Sequence, residues 1–217
     1  MKRFLSVIFD LDGTLLDTLE DLGDAVNRVL KRFGFPEHPI DAYRYFVGEG
    51  SAMLVERALP ESVRHSDIYR EVFDAFLADY NQSWKVKTRV YDGVPEMLDR
   101  LTDVGVSMSV LSNKPHPFTV ECVRELLSKW RFISVLGLRP EVPRKPDPAG
   151  ALETAQLLGV APERILYLGD SGTDMKTAVA AGMFPVGALW GFRTREELLA
   201  NGAAAVIPHP TELLGLL

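Results

Sequence analysis

Continuous apolar runs alternate with helical patterns along most of the chain. The runs occupy residues 4–9, 106–111, 164–169 and 184–189, with a weaker one at 204–207. Unbroken apolar runs of this length are typical of strands that a parallel sheet buries on both faces. Helical spacing of apolar residues fills the intervals that begin near residues 95, 116, 148 and 173. This alternation predicts an α/β fold with a Rossmann-like, doubly wound parallel sheet.

One long interval, residues 17–85, interrupts the alternation. Its apolar residues recur at helical spacing, and no convincing strand pattern occurs there. The first helix of the interval is indicated by Leu19, Leu22, Val26, Val29, Leu30 and Phe33. We therefore expect an α/β core formed by residues 1–16 and 86–217, with an inserted α-helical cap formed by residues 17–85.

Charge and composition restrict the class of partner. The net charge is −6 and no basic run occurs, which argues against nucleic-acid binding. No apolar stretch reaches the roughly 18 residues of a membrane span, and the short apolar run at the N-terminus ends in Asp10, unlike a signal peptide. Cys122 is the only cysteine, so no internal disulfide forms. These features predict a cytoplasmic protein that binds neither membrane nor nucleic acid.

Polar residues follow several of the predicted strands, at the edge where α/β sheets bind ligands. They are Asp10 and Asp12 after the first run, Ser112, Asn113 and Lys114 after the second, Asp170 and Asp174 after the third, and Lys145 in the loop "PEVPRKPDP". Each has a simpler explanation by itself. The simpler alternatives are a helix cap for Ser112, a surface position for Lys145, a helix N-terminus for Asp174, and a turn for Asp10 and Asp12. Their coincidence at one edge favours a site.

Four carboxylates with one lysine leave this site strongly negative. A hard divalent cation would offset the charge, and an all-oxygen donor set selects Mg²⁺. Asp10, Asp12, Asp170 and Asp174 are therefore the candidate metal ligands.

The spacing of Asp10 and Asp12 suggests how the site reacts. Residues two apart in a strand point the same way and lie roughly 6.5 Å apart. One carboxylate can then attack phosphorus while the other protonates the departing oxygen and later activates water. Gly13 lets the backbone turn sharply and approach a ligand closely.

Four segments resemble the haloacid dehalogenase-like superfamily of phosphatases and occur in the family's order. They are "DLDGTLLD" (10–17), "LSNK" (111–114), "RKPDP" (144–148) and "GDSGTDMKTAVAAGM" (169–183).

This resemblance implies a role for each of the strand-end residues. Asp10 is the expected nucleophile and Asp12 the general acid/base, whose backbone carbonyl also ligates Mg²⁺. Asp170 ligates the metal, with Asp174 assisting through water. Ser112 and Lys145 bind phosphoryl oxygens, and we place their neighbours Asn113 and Gly13 in the same phosphate site.

Within the superfamily, the chain is most similar to phosphoglycolate phosphatases. The similar segments are "FVGEGSAMLVERAL" (46–59), "SNKPHPF" (112–118) and "ALWGFRTREEL" (188–198). The expected substrate is therefore a small phosphorylated metabolite, 2-phosphoglycolate first. Gly48, Glu49 and Gly50 either form a substrate-specificity turn of the cap or simply join two helices.

Two other functions compete with this interpretation. A sugar-phosphate phosphatase or phosphomutase shares the whole motif set. A phospho-receiver signalling protein also groups Asp, Ser or Thr, and Lys around Mg²⁺, but it has no helical cap and carries its phosphorylated Asp on an internal strand.

Overall fold

The computed structural model describes residues 3–217, and its central element is a six-stranded sheet. The strands along the chain are β1 (Ser6–Phe9), β2 (Leu16–Asp17), β3 (Arg89–Val90), β4 (Ser107–Pro115), β5 (Val135–Leu138), β6 (Ile165–Gly169), β7 (Phe184–Ala188) and β8 (Ala205–Ile207). The sheet has the order β5-β4-β1-β6-β7-β8, and every neighbouring pair is parallel. The predicted α/β fold is confirmed. β1, the first strand in sequence, lies inside the sheet between β4 and β6.

Helices connect the strands and form the inserted segment. They are α1 (Leu19–Arg32), α2 (Tyr43–Phe46), α3 (Ser51–Ala58), α4 (Asp67–Ser83), α5 (Val94–Asp103), α6 (His116–Leu126), α7 (Ala149–Leu158), α8 (Gly172–Ala180) and α9 (Arg195–Ala200). Among the helices described, none has both the length and the apolar character needed to cross a membrane.

Within the six-stranded sheet, the structure departs from the sequence pattern at two strands. β5 was not predicted, because it is a four-residue edge strand that contains Gly137. β4 extends through Pro115, so Ser112, Asn113 and Lys114 lie within a buried strand and not beyond its end. The alternative in which Ser112 caps a helix is wrong, since α6 has Pro115 at its N-cap.

The chain divides into two compact units. One comprises Met1–Leu16 with Val90–Leu217 and contains the six-stranded sheet; the other comprises Asp17–Arg89 and contains α1 to α4. The helical unit therefore ends at Arg89, a few residues beyond the predicted end of the cap at residue 85. The reason lies in the contacts of residues 87–89, which bind Asp21 and Asp17 of the helical unit.

Each unit has its own apolar interior. In the sheet-containing unit, β1 and β6 are completely buried, and residues such as Ile8, Tyr167 and Ala151 belong to one continuous cluster. In the helical unit, α1 packs against α4 and buries Val26, Leu30, Phe76 and other apolar side chains. Cys122 is buried as a free thiol, which agrees with a core role for it.

A buried carboxylate fixes the return segment of the helical unit. Asp21 lies in the first turn of α1 and is 3% exposed. Its Oδ2 accepts hydrogen bonds from the backbone N–H groups of Lys87 (2.9 Å) and Thr88 (2.7 Å), and its Oδ1 lies 3.1 Å from the same Lys87 nitrogen. Asp21 therefore satisfies backbone donors that its removal would leave unpaired.

We expect Asp21→Ala to lower the free energy of unfolding by about 2–3 kcal/mol, the scale of losing charge-assisted hydrogen bonds at a buried site. Urea unfolding measures this change. Asp24→Ala is the matched control, because Asp24 binds the Lys87 ammonium at the protein surface, where an ion pair contributes little. Equal losses in both variants would contradict a special role for Asp21.

Candidate active site

Neighbouring parallel strands bring the predicted carboxylates together. Asp10 follows β1 and Asp170 follows β6, and the Asp10 backbone N–H donates to the Leu168 carbonyl at 2.9 Å. Asp174 lies in the first turn of α8, which begins just after β6. Asp10, Asp170 and Asp174 each offer a carboxylate oxygen, and these three oxygens lie within 4.8 Å of one another. All three residues are buried.

The ammonium group of Lys145 lies beside two of these carboxylates. Its Nζ is 2.9 Å from Asp10 Oδ1 and 2.6 Å from Asp174 Oδ1, and it donates to the Leu111 carbonyl at 3.2 Å. The Lys145 side chain is only 4% exposed. The surface alternative for Lys145 is therefore wrong, because the loop between β5 and α7 brings it into the interior.

Burial and mutual repulsion change the proton affinities of the cluster. Burial, and then the like charge of Asp174, raise the pKa of Asp10 to about 7, although Lys145 acts in the opposite direction. Burial, with Asp174 and Asp10 nearby, raises the pKa of Asp170 well above its ordinary value. Burial alone would lower the pKa of Lys145, but Asp10 and Asp174 outweigh it and raise that pKa. The single positive charge of Lys145 therefore does not balance the negative charges of the three carboxylates.

Asp174 serves both its helix and Lys145. Its Oδ2 accepts from the Ser171 hydroxyl at 2.5 Å and the Ser171 backbone N–H at 3.2 Å, which completes a capping box at the start of α8. Its Oδ1 binds Lys145 and lies 3.5 Å from the Tyr167 hydroxyl. Asp174 therefore does stabilise a helix N-terminus, as the simpler alternative held, and it also belongs to the carboxylate cluster. Its assistance to a metal through water stays a prediction.

Asp170 is held by the segment after β7. Its Oδ2 accepts the Phe192 backbone N–H at 2.7 Å. Gly13 and Gly191 pack so closely on Asp170 that a Cβ at either position would collide with the carboxylate side chain. Gly13 also has a φ of 82°, which favours glycine. Sequence reasoning gave Phe192 and Gly191 no role, although both lie in the segment "ALWGFRTREEL".

Asn113 positions the Lys145 loop. Its Oδ1 accepts the Lys145 backbone N–H at 2.9 Å, and its Nδ2 donates to the Lys145 carbonyl at 3.1 Å. This reciprocal pair joins β4 to the loop 32 positions later in the chain. A direct contact of Asn113 with phosphate stays a prediction, as it does for Ser112, whose hydroxyl accepts the Lys114 backbone N–H at 3.2 Å.

Asp12 has a separate partner that the sequence did not reveal. Lys114 Nζ lies 3.1 Å from Asp12 Oδ1 and 3.3 Å from Oδ2, with the two side chains 4% and 13% exposed. The alternation within β4 could have indicated Lys114, since it stands two residues after Ser112 and shares its side of the strand. The predicted contact of Asp12 with a metal runs through its backbone carbonyl and stays a prediction.

The predicted specificity turn lies in the helical unit. Gly48 and Gly50 have positive φ values of 118° and 91°. The Glu49 carboxylate forms an ion pair with Arg57, whose guanidinium also donates to the Phe46 carbonyl at 3.3 Å and to the Tyr45 carbonyl. Arg57 thus holds this turn to the rest of its unit. Whether the turn contacts a substrate stays a prediction.

Proteins of known structure have the same fold. A candidate phosphoglycolate phosphatase from Lactobacillus delbrueckii superposes with a TM-score of 0.92 at 29% identity, covering 100% of this chain and 99% of that one. A predicted phosphoglycolate phosphatase from Haemophilus somnus has the same TM-score at 26% identity, with the same coverage. The match includes both the sheet and the inserted helical segment, since it covers the whole chain.

Curated relatives and the family match agree with these structures. The phosphoglycolate phosphatase of Pseudomonas putida is 35% identical over 212 residues, which cover 96% of this chain and 78% of that protein. Phosphoglycolate phosphatase 1 of Pseudomonas aeruginosa is 35% identical over 211 residues, with the same coverage. The haloacid dehalogenase-like hydrolase family matches residues 7–188, which contain every residue of the carboxylate and lysine cluster. The chain therefore belongs to the haloacid dehalogenase-like hydrolases and is, as its sequence predicted, a phosphatase.

Proposed function

We propose that this phosphatase hydrolyses 2-phosphoglycolate with Mg²⁺ as cofactor and Asp10 as the nucleophile. The observation that supports the chemistry most directly is the buried group of Asp10, Asp170 and Asp174 beside Lys145. The choice of substrate is supported by the relatives, which are named phosphoglycolate phosphatases at 35% identity.

The donor set fits a magnesium ion. Three buried carboxylates within 4.8 Å offer only oxygen ligands. Burial, and then repulsion from neighbouring carboxylates, raise the pKa of Asp10 and of Asp170, so a cation at this place would stabilise their charged forms. Asp10 and Asp170 would hold the ion, with the Asp12 backbone carbonyl and, through water, Asp174. A bound Mg²⁺ would supply the missing positive charge and polarise the phosphoryl group.

Protein groups can account for the bond changes. An Asp10 oxygen attacks phosphorus, and the bond to the leaving oxygen breaks as that oxygen takes a proton from Asp12. Water then attacks the aspartyl-phosphate as Asp12 takes its proton, which releases inorganic phosphate and regenerates the Asp10 carboxylate. Lys145, with Ser112, stabilises the charge of the phosphoryl oxygens.

The helical unit, in this proposal, selects the substrate through the turn Gly48, Glu49 and Gly50. Glu49 would repel an anionic substrate unless its charge were offset, and Arg57 offsets it. Substituting either glycine by Ala would strain a backbone with positive φ, so a loss of activity there would not isolate recognition. A substitution in the Glu49–Arg57 pair is a better test, because it changes the charge of the turn without straining its backbone.

We expect the purified protein with Mg²⁺ to release phosphate from 2-phosphoglycolate faster than from sugar phosphates or nucleotides. The measurement is kcat/KM over a panel of phosphomonoesters. Excess chelator should abolish turnover, and Asp10→Asn should eliminate it because no nucleophile remains.

A preference for a sugar phosphate would favour the sugar-phosphate phosphatase or phosphomutase alternative. Full activity in chelator would contradict the metal assignment, and one slow release per molecule would favour the phospho-receiver.

We expect Lys145→Met to lower the free energy of unfolding by about 3–5 kcal/mol at pH 8 without divalent cations, because it leaves buried carboxylates without their counter-charge. The loss should shrink at pH 6. The pKa of Asp10 is about 7 beside Lys145, which lowers it, so removing Lys145 raises that pKa further. At pH 6 the folded variant therefore gains more than the folded wild type from a proton on Asp10 that the unfolded chain does not hold.

Urea unfolding at both pH values measures this effect of Lys145. The control is Lys129→Met, because Lys129 binds Asp99 at the surface. A loss for Lys145→Met that does not change with pH would argue against charge compensation.

We expect Arg57→Gln to raise KM for 2-phosphoglycolate about three- to tenfold more than KM for p-nitrophenyl phosphate, because only the first substrate has a carboxylate for Glu49 to repel. Steady-state kinetics with both substrates measures this ratio. Arg64→Gln is the matched control, since Arg64 bonds the Leu59 carbonyl in the same unit. If Arg57→Gln affects both substrates equally and the fold is intact, the turn only joins two helices.

A further inference from the structure

The ion pair between Lys114, which is buried, and Asp12, which is partly buried, is separate from the contacts of Asp10. Lys114 Nζ approaches both Asp12 carboxylate oxygens, at 3.1 and 3.3 Å, whereas Lys145 approaches Asp10 at 2.9 Å. We infer that Lys114 is a positioning residue that holds the Asp12 carboxyl group in place for its two proton transfers. This inference rests on the proposed function, because it assumes that Asp12 is the general acid and base.

The fold leaves Lys114 little freedom. β4 runs parallel to β1, and Lys114 is the eighth of its nine residues, in a part of the strand that is buried. The Lys114 N–H donates to the Ser112 hydroxyl at 3.2 Å, and the Lys114 carbonyl accepts the Thr119 hydroxyl at 3.0 Å. The backbone N–H and carbonyl of Lys114 are therefore both held, and its side chain is only 4% exposed.

Contribution to stability is a weak explanation for this pair. A buried ion pair often stabilises a protein no more than apolar residues of similar volume would, because desolvation offsets the attraction. Its more certain effect is geometric. An ammonium that contacts both oxygens restricts the rotation of the Asp12 carboxylate, whose side chain is 13% exposed.

A different lysine contacts each of the two carboxylates, Asp10 and Asp12, so the two proposed roles can be tested separately. Lys145 contacts Asp10 and Asp174, whereas Lys114 contacts Asp12. Changing Lys114 should therefore impair the steps that need Asp12 and spare the attack by Asp10. This distinction predicts a kinetic signature that a general loss of structure would not produce.

The leaving group makes the signature measurable. Glycolate needs a proton from Asp12 as it departs, whereas p-nitrophenolate departs without one. Attack of water on the aspartyl-phosphate needs Asp12 as base with either substrate. If Asp12 is mispositioned, p-nitrophenyl phosphate should still phosphorylate Asp10 rapidly, and the intermediate should then accumulate.

The experiment compares the wild-type protein with Lys114→Met in rapid-mixing and steady-state assays. We expect kcat to fall about 10- to 100-fold with both esters, within the range that general acid–base assistance supplies. With p-nitrophenyl phosphate, Lys114→Met should show a burst of nitrophenolate that approaches one per active site. KM for p-nitrophenyl phosphate should fall together with kcat, because slow hydrolysis of the accumulated intermediate lowers both. Lys114→Arg, which retains the charge and donors, should restore most of the rate.

Combining Lys114→Met with Asp12→Asn shows whether Lys114 acts only by positioning Asp12. If Lys114 acts through Asp12, adding Lys114→Met to Asp12→Asn should slow turnover no further. This double variant also removes both buried charges, so the comparison remains possible if Lys114→Met by itself does not fold by circular dichroism. Lys129→Met, which breaks the exposed pair with Asp99, should behave as wild type.

Several results would overturn the inference. A burst amplitude that falls in parallel with kcat indicates partial unfolding, and a raised KM for both esters indicates that Lys114 binds phosphate directly. An equal further loss in the Asp12→Asn background indicates an independent role. An active wild-type protein with an unaffected Lys114→Met variant overturns this inference alone, whereas a wild-type protein that hydrolyses neither ester overturns the proposed function with it.

Discussion

The rest of the site depends on the repulsion among carboxylates that the sheet brings to one edge. Asp10, Asp170 and Asp174 are buried with oxygens within 4.8 Å of one another, and Lys145 is the ammonium that contacts two of them. The pKa of Asp10 rises to about 7 because burial and Asp174 outweigh Lys145. A site with this imbalance favours the binding of positive charge, which connects the packing of the sheet to the metal proposed for catalysis.

The surrounding structure holds these charges in place with backbone and amide groups. Asn113 binds both backbone polar groups of Lys145, Phe192 donates its N–H to Asp170, and Ser171 forms a capping box with Asp174. Asp170 is therefore held by the segment after β7, the backbone of Lys145 by β4, and Asp174 by the N-cap of its own helix. Such fixed groups need little reorganisation as charge moves during a reaction.

The two lysines show how one edge of a sheet can separate two chemical roles. Asp10 and Asp12 are two residues apart, yet Lys145 from a loop contacts the first and Lys114 from β4 contacts the second. Each carboxylate has its own counter-charge, so the proposed nucleophile and the proposed acid/base can be oriented separately. The helical unit shows a similar pairing on its own, where Arg57 offsets Glu49 in the turn proposed to select substrate.

The sequence by itself predicted the parallel sheet, the helical insertion and the residues of the carboxylate and lysine cluster, because apolar periodicity and strand-end position are local properties of the chain. It could not determine which charges pair. Lys114 contacts Asp12, and Asn113 contacts the backbone of Lys145, across long separations in sequence. It also missed the short edge strand β5 and placed Ser112 beyond a strand that in fact contains it. These features were decided only by the tertiary structure, because the register of β1 against β4 and the path of the Lys145 loop set the distances between side chains, and those distances decide which charges attract.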